Sequence, residues 1–232
     1  MTAAEAGIEL AGAEGAGSEP PDGDLMASDG RRLGRRAQET RRKLLDATAE
    51  LIATKGLLDL TVVEIARRVG TSPASFYQYF QNVEEAVLAL SEVIGGELEA
   101  LVPLVEQSWR GRSGFEACRE LVRRFIDHWD EHRAVLRVRD LAAQEGDRRF
   151  RDVRNASLSL ITDRLTTKVA EFQAAGKVAD EMTPYAAASA MVAMMGRMAA
   201  YHRDLETRGF TRDDMVETVA RIVYQTVTGR RP

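Results

Sequence analysis

Apolar residues recur along most of the chain at three- and four-residue steps, the period of a helix with one buried face. The pattern begins at Arg35: Leu44, Leu45, Thr48, Leu51 and Ile52 share a side, and Gly56 suits a C-terminal cap. A short second helix follows, capped by Thr61, with Glu64 three residues on in capping-box spacing and Ile65, Ala66 and Val69 as its apolar side. Gly70 breaks it. Ser72 then caps a third helix, with Pro73 in the first helical position and an end near Tyr79. Asn82 caps a fourth, which runs from Val83 towards Trp109 with a bend expected near Gly95-Gly96 or Pro103.

The same period continues downstream. Ser113 and Glu116 form a further capping-box pattern, opening a helix that carries Leu121, Val122, Phe125 and Trp129. Residues 131–142 read as a shorter helix and about 147–175 as a long one. Thr183-Pro184 starts an Ala- and Met-rich helix reaching about Glu206, and Thr211 with Asp214 opens the last, which ends at Gly229. The expectation is an all-α protein of about nine helices: residues 31–82 form a three-helix head, and residues 83–229 a larger helical domain. Residues 1–30, rich in Gly, Ala and acids and poor in large apolars, read as a disordered acidic tail. Two readings of that tail stay open: a dispensable extension, or an acidic arm that competes with DNA for a basic face.

Composition fits this picture. The 232 residues are 44% hydrophobic and only 6% aromatic, which gives core enough and favours helices over sheets. The single cysteine, Cys118, cannot form an internal disulfide, which fits a reducing cytosol. With no apolar run of membrane length and no secretory pattern at the N-terminus, a cytoplasmic protein is expected. The net charge of -4 conceals an asymmetry. Residues 1–30 hold seven acids and no base, whereas residues 31–83 hold ten bases against five acids. Phosphate contact depends on local charge, so the overall acidity does not exclude a nucleic-acid partner.

Residues 60–80, LTVVEIARRVGTSPASFYQYF, have the parts of a helix-turn-helix: a capped short helix, a turn at Gly70-Thr71 and a second short helix. The second helix presents small and polar residues at its start, as insertion into a major groove about 12 Å wide requires. Gln78 suits adenine and Ala74 a thymine methyl, while Phe76 and Phe80 are better placed as core anchors. The stretch from about Arg41 to Leu90 resembles the DNA-binding domain of the TetR/AcrR family of transcriptional regulators. The resemblance is carried by Thr61, Ile65, Ala66, Val69 and Gly70, by Ser72-Pro73-Ala74-Ser75-Phe76-Tyr77, by Tyr79-Phe80 and by Glu84-Glu85. It implies DNA contacts at Thr61, Thr71, Ser72, Ala74, Ser75, Tyr77, Gln78 and Tyr79. One position departs: Val83 stands where the family usually has a phosphate-binding Lys. The basic stretch Arg31 to Lys43, with Arg35 and Arg36 as candidate contacts, offers a substitute.

The resemblance further implies a repressor that binds a palindromic operator as a homodimer and is released by a small apolar or amphipathic effector. The last two helices would dimerise through Ala188, Met191, Val192, Met195, Met215, Val219, Ile222 and Val223. Trp109, Phe125, Trp129, Phe172, Met191, Met195 and Tyr201 are the candidate effector contacts, although for any one of them ordinary core packing is the better account. His128 and His132 lie four apart on a helix, but sequence supplies no third ligand beside them, so no metal and no cofactor is expected. No nucleotide-binding, nucleophile-elbow or metal-hydrolase motif is present, so an enzyme is not expected. The alternative reading is a helical protein-interaction module that has lost sequence-specific DNA binding.

Overall fold

The computed structural model describes residues 32–57 and 59–230; the acidic segment 1–30 and Arg31 lie outside the described residues. Among the described residues the elements are helical. Helices α1 (Arg35–Lys55), α2 (Val62–Val69) and α3 (Pro73–Tyr77) form the head, and α4 (Val83–Gly96) leads from it into the body. A 3-10 turn (Glu97–Leu101) and α5 (Val102–Glu106) follow, then α6 (Gly111–Glu131), α7 (Arg133–Gln144), α8 (Arg148–Ala174), α9 (Pro184–Glu206) and α10 (Arg212–Thr228).

The body is assembled around α8, which packs on α4, α5, α7, α9 and α10. Ile161, Leu165 and Val169 are its fully buried stripe. Each such side chain withdrawn from water contributes about 1.5–3 kcal/mol. Where α8 buries hydroxyls, they are satisfied locally: Ser157 donates to the Val153 carbonyl at 2.7 Å and Thr162 to the Leu158 carbonyl at 2.9 Å. Head and body share one continuous apolar core, because α1 packs on α4 and α7 as well as on α2. Cys118 is buried in the α6–α10 contact, where burial raises its thiol pKa above the ordinary value.

The expected bend in the fourth segment occurs at both sites, dividing it into α4, the 3-10 turn and α5. Gly95 is buried against α8 so closely that a Cβ there would overlap the Ser157 hydroxyl. The capping box expected at Ser113 is absent. α6 begins at the left-handed Gly111 (φ 63°), three residues before the start a Ser113 cap would give, and its N-cap Arg110 offers no side-chain cap. Ser113 lies inside the first turn, and Glu116 pairs with Arg119 instead. The start is set by packing: Trp109 is buried, stacks on Tyr224 and donates its Nε1–H to the Leu104 carbonyl at 3.0 Å. Gly114 lets α6 fold back over the Trp109 backbone.

Two glycine positions should therefore respond oppositely. Gly114→Ala drives a methyl into the Trp109 backbone and should cost about 1–3 kcal/mol or more. Gly96→Ala, helical (φ -65°) with open space at its Cβ, should stabilise by about 0.5–1 kcal/mol. Urea unfolding of the two variants checks both signs.

Candidate nucleic-acid interface

The head is built by caps and two phenyl rings. At the start of α2, the Glu64 backbone N–H donates to Thr61 Oγ1 at 3.3 Å while the Thr61 N–H donates back to the Glu64 carboxylate at 3.3 Å. Lys55 at the end of α1 also pairs with Glu64; the ammonium and the Thr61 hydroxyl hold this carboxyl below its ordinary pKa. At the end of α2, Gly70 takes a left-handed conformation (φ 73°), and the Thr71 N–H reaches the Ala66 carbonyl at 2.9 Å. The chain thereby reverses into Ser72, whose hydroxyl accepts the Ser75 N–H at 3.2 Å, with Pro73 opening α3.

Helix α3 has only five residues, too few to persist alone. Its back is held by Phe76 and Phe80, both buried, with ring centroids 5.4 Å apart. The Arg41 guanidinium of α1 lies over the Phe80 ring at 5.2 Å, tying α1 to the same anchor. The sequence had counted Arg41 only as one base in a basic stretch. Asn82 then caps α4, accepting the Glu85 N–H at 2.9 Å.

This arrangement presents the predicted reading residues outward together. Ser72, Ala74, Tyr77 and Gln78 are exposed, Tyr77 to 52%, and Thr71, Ser75 and Tyr79 are half-buried beside them. Thr61 is exposed at the adjoining start of α2, and Arg35 and Arg36 are exposed in the first turn of α1. Val83 is half-buried and packs on the core, so its side chain is occupied in joining α4 to the head.

The predicted effector and dimer residues are placed differently. Trp109, Phe125, Trp129, Met191 and Met195 are all 5% exposed or less and pack into the protomer core. Trp109 and Phe172 alone of the seven line a common cleft, of about 510 Å³, with Arg110, Lys168, Lys177 and Arg230 around it. Tyr201 is on the outside, under the Arg197 guanidinium at 3.8 Å. Of the dimer residues, Ala188, Met191, Val192, Met195, Met215, Val219 and Val223 are 3% exposed or less, leaving no surface for a partner. The apolar stripes of α9 and α10 face each other and α6 because the protomer's own core needs them first. Ile222, 43% exposed, is the one of the eight that faces out. The outward face of α9 instead carries Tyr185, Ala186, Ala190, Ala193, Arg197 and Tyr201. Helical spacing alone does not say which of two stripes turns inward. Among the described residues no helix is long and apolar enough to cross a membrane.

Comparison with known proteins agrees with this geometry. Residues 44–90 match the model of bacterial regulatory proteins of the tetR family, and residues 99–232 that of a tetracyclin repressor-like C-terminal domain. The HTH-type transcriptional regulator BetI of Brucella anthropi is 37% identical over 70 residues, covering 28% of this chain and 36% of BetI. That of Brucella canis is 38% identical over 66 residues, 27% and 33% of the two chains. The chain thus spans about a third of the length of the curated relatives it matches. Among solved structures, the fatty acid degradation regulator FadR of Bacillus halodurans superposes with a TM-score of 0.63 at 17% identity, over 84% of this chain and 97% of FadR. NalD of Pseudomonas aeruginosa, a secondary repressor of a multidrug efflux pump, gives 0.59 at 22%, over 82% and 97%. At these identities the structures speak to fold alone, but the C-terminal model covers more than half of the chain and adjoins a matching head. The chain belongs to the TetR family of transcriptional regulators, with its DNA-binding domain at the helix-turn-helix of α2 and α3.

Proposed function

We propose that this regulator is a cytoplasmic homodimeric repressor that grips a palindromic operator through two copies of α3 and lets go when a small amphipathic effector binds the body. The observation that carries the reading is the outward cluster of Ser72, Ala74, Tyr77 and Gln78, held by Phe76 and Phe80 from behind. Such a head reads base edges with Ala74 and Gln78, while hydroxyls and the exposed guanidinium groups of Arg35 and Arg36 contact phosphate. The half-buried Val83 favours a second reading, a helical interaction module without sequence-specific DNA binding, since it removes one phosphate anchor.

Gel shifts with DNA from upstream of the protein's own gene separate the two. Gln78→Ala is expected to weaken operator binding by about 1–3 kcal/mol and to relax the preference at one base pair. Arg35→Ala with Arg36→Ala should weaken all DNA alike and flatten the salt slope by about 0.9 per lost phosphate contact. A wild-type chain that binds no DNA more tightly than random duplex would support the interaction module.

The outward faces of α9 and α10 are the dimer surface in this proposal. Small Ala186, Ala190 and Ala193 permit close helix approach across a two-fold axis, flanked by Tyr185 and Ile222. Ala193→Arg with Ile222→Asp should give monomers in light scattering at micromolar concentration, with the melting temperature of the folded protomer retained and operator binding lost. Dimers that persist would move the interface elsewhere.

The effector site is proposed in the cleft of Trp109 and Phe172. The Phe172 ring and the buried Trp109 behind it, beside Arg110, Lys168, Lys177 and Arg230 and against Glu106 and Glu171, suit an amphipathic carboxylate. A ligand favouring a dimer whose heads are not 34–36 Å apart lowers operator affinity by its differential binding. Decanoate should quench Trp109 fluorescence and weaken operator binding, and Phe172→Ala should diminish both; unchanged operator affinity at saturation would reject this effector class.

A further inference from the structure

We propose that Glu97, His128 and His132 form a binding site for a divalent transition-metal ion of the Zn2+ class, which clasps the end of α4 to the end of α6. Glu97 is the first residue after α4, His128 lies in the last turn of α6, and His132, one turn further on, is the cap between α6 and α7. Sequence placed the histidines on one helix face; the fold brings a carboxylate to them from 31 positions earlier. Glu97 Oε2 lies 2.7 Å from His132 Nε2 and 3.5 Å from His128 Nδ1. All three ligand atoms fall within 4.8 Å of one another. Ligand atoms on a tetrahedral Zn2+ with bonds of about 2.0–2.2 Å stand about 3.3 Å apart. The observed separations bracket that value, so small side-chain rotations suffice to admit the ion.

The donor set selects the metal class. Two imidazole nitrogens and one carboxylate suit Zn2+, Co2+ or Ni2+ and are a poor match for Mg2+ or Ca2+, which prefer oxygen. Both histidines are largely enclosed while Glu97 is half exposed, so the ion enters from the Glu97 side and keeps an open position for water. Among the described residues the His128 ring makes no hydrogen bond. One nearby cation opposes the ion: Arg139 on α7 interacts electrostatically with His128, but its charge is offset by Asp140 at 2.9 Å. The fold does not depend on the metal, because α4, α6 and α8 are already joined by apolar contacts. An exchangeable ion is therefore expected rather than a permanent one.

The place of the site gives it a consequence. α4 runs directly from the reading head, and His132 stands at the start of α7, which packs on α1. A metal here favours one disposition of head and body, and so acts as an effector chemically distinct from the amphipathic acid. That consequence rests on the repressor reading; the metal site itself does not.

The test is isothermal titration of Zn2+ into the full-length, EDTA-treated protein without DNA, with Co2+ absorption as the report on coordination. One ion per protomer is expected, with visible Co2+ bands of a four- or five-coordinate site. Glu97→Gln and His132→Gln should each weaken binding by more than about 100-fold. Both variants must first show wild-type helical content and melting in EDTA, and Glu97→Gln, being half exposed, is the conservative member. Absence of Zn2+ binding by the wild type at 100-fold excess over protein, or undiminished binding by the double variant, would overturn the proposal. Because no DNA is present, either outcome leaves the operator question separately decidable.

Discussion

Phe76 and Phe80 are the contact on which the functional surface depends. A helix of five residues has no stability of its own, since nucleation costs more than one turn returns. Its conformation is dictated by the two buried rings behind it and by the Ser72 cap at its start. Arg41 of α1 lies over the Phe80 ring, so α1 is tied to the same aromatic pair as α3. The shape of the outward face thus comes from apolar packing on the opposite side.

Much of this was readable in the chain because it rests on local chemistry. The Thr61–Glu64 and Thr211–Asp214 capping boxes, the left-handed Gly70 and Gly229, and Pro73 after Ser72 each fix a boundary through neighbours within four residues. Ser113 with Glu116 has the same spelling and makes no cap, because burial of Trp109 and the turn at Gly111 start the helix earlier. Tertiary packing prevails over a local preference worth about 1 kcal/mol.

What the sequence could not settle is which face of a helix meets which partner. Met191, Met195 and Val219 show the right period for a dimer seam and for a core, and they are core. Trp109 and Phe125 are both large and apolar, yet the first borders a cleft while the second packs into the core. Glu97 carried no signal at all, since its meaning comes from two histidines over thirty residues away. Such pairings are made by topology, which periodicity does not encode.

The missing side chain at Gly95 gives the molecule a mechanical property. With no Cβ, the α4 backbone sits almost directly on Ser157 of α8, and the helix loses its regular form one residue later. From Gly95 to Val83 the helix extends about 18 Å at 1.5 Å per residue. Pivoting about 10° at that fulcrum would swing the far end by about 3 Å, nearly one base-pair step of the duplex. A lever of this length would magnify a sub-ångström rearrangement beside the pivot into a displacement of several ångströms at the head.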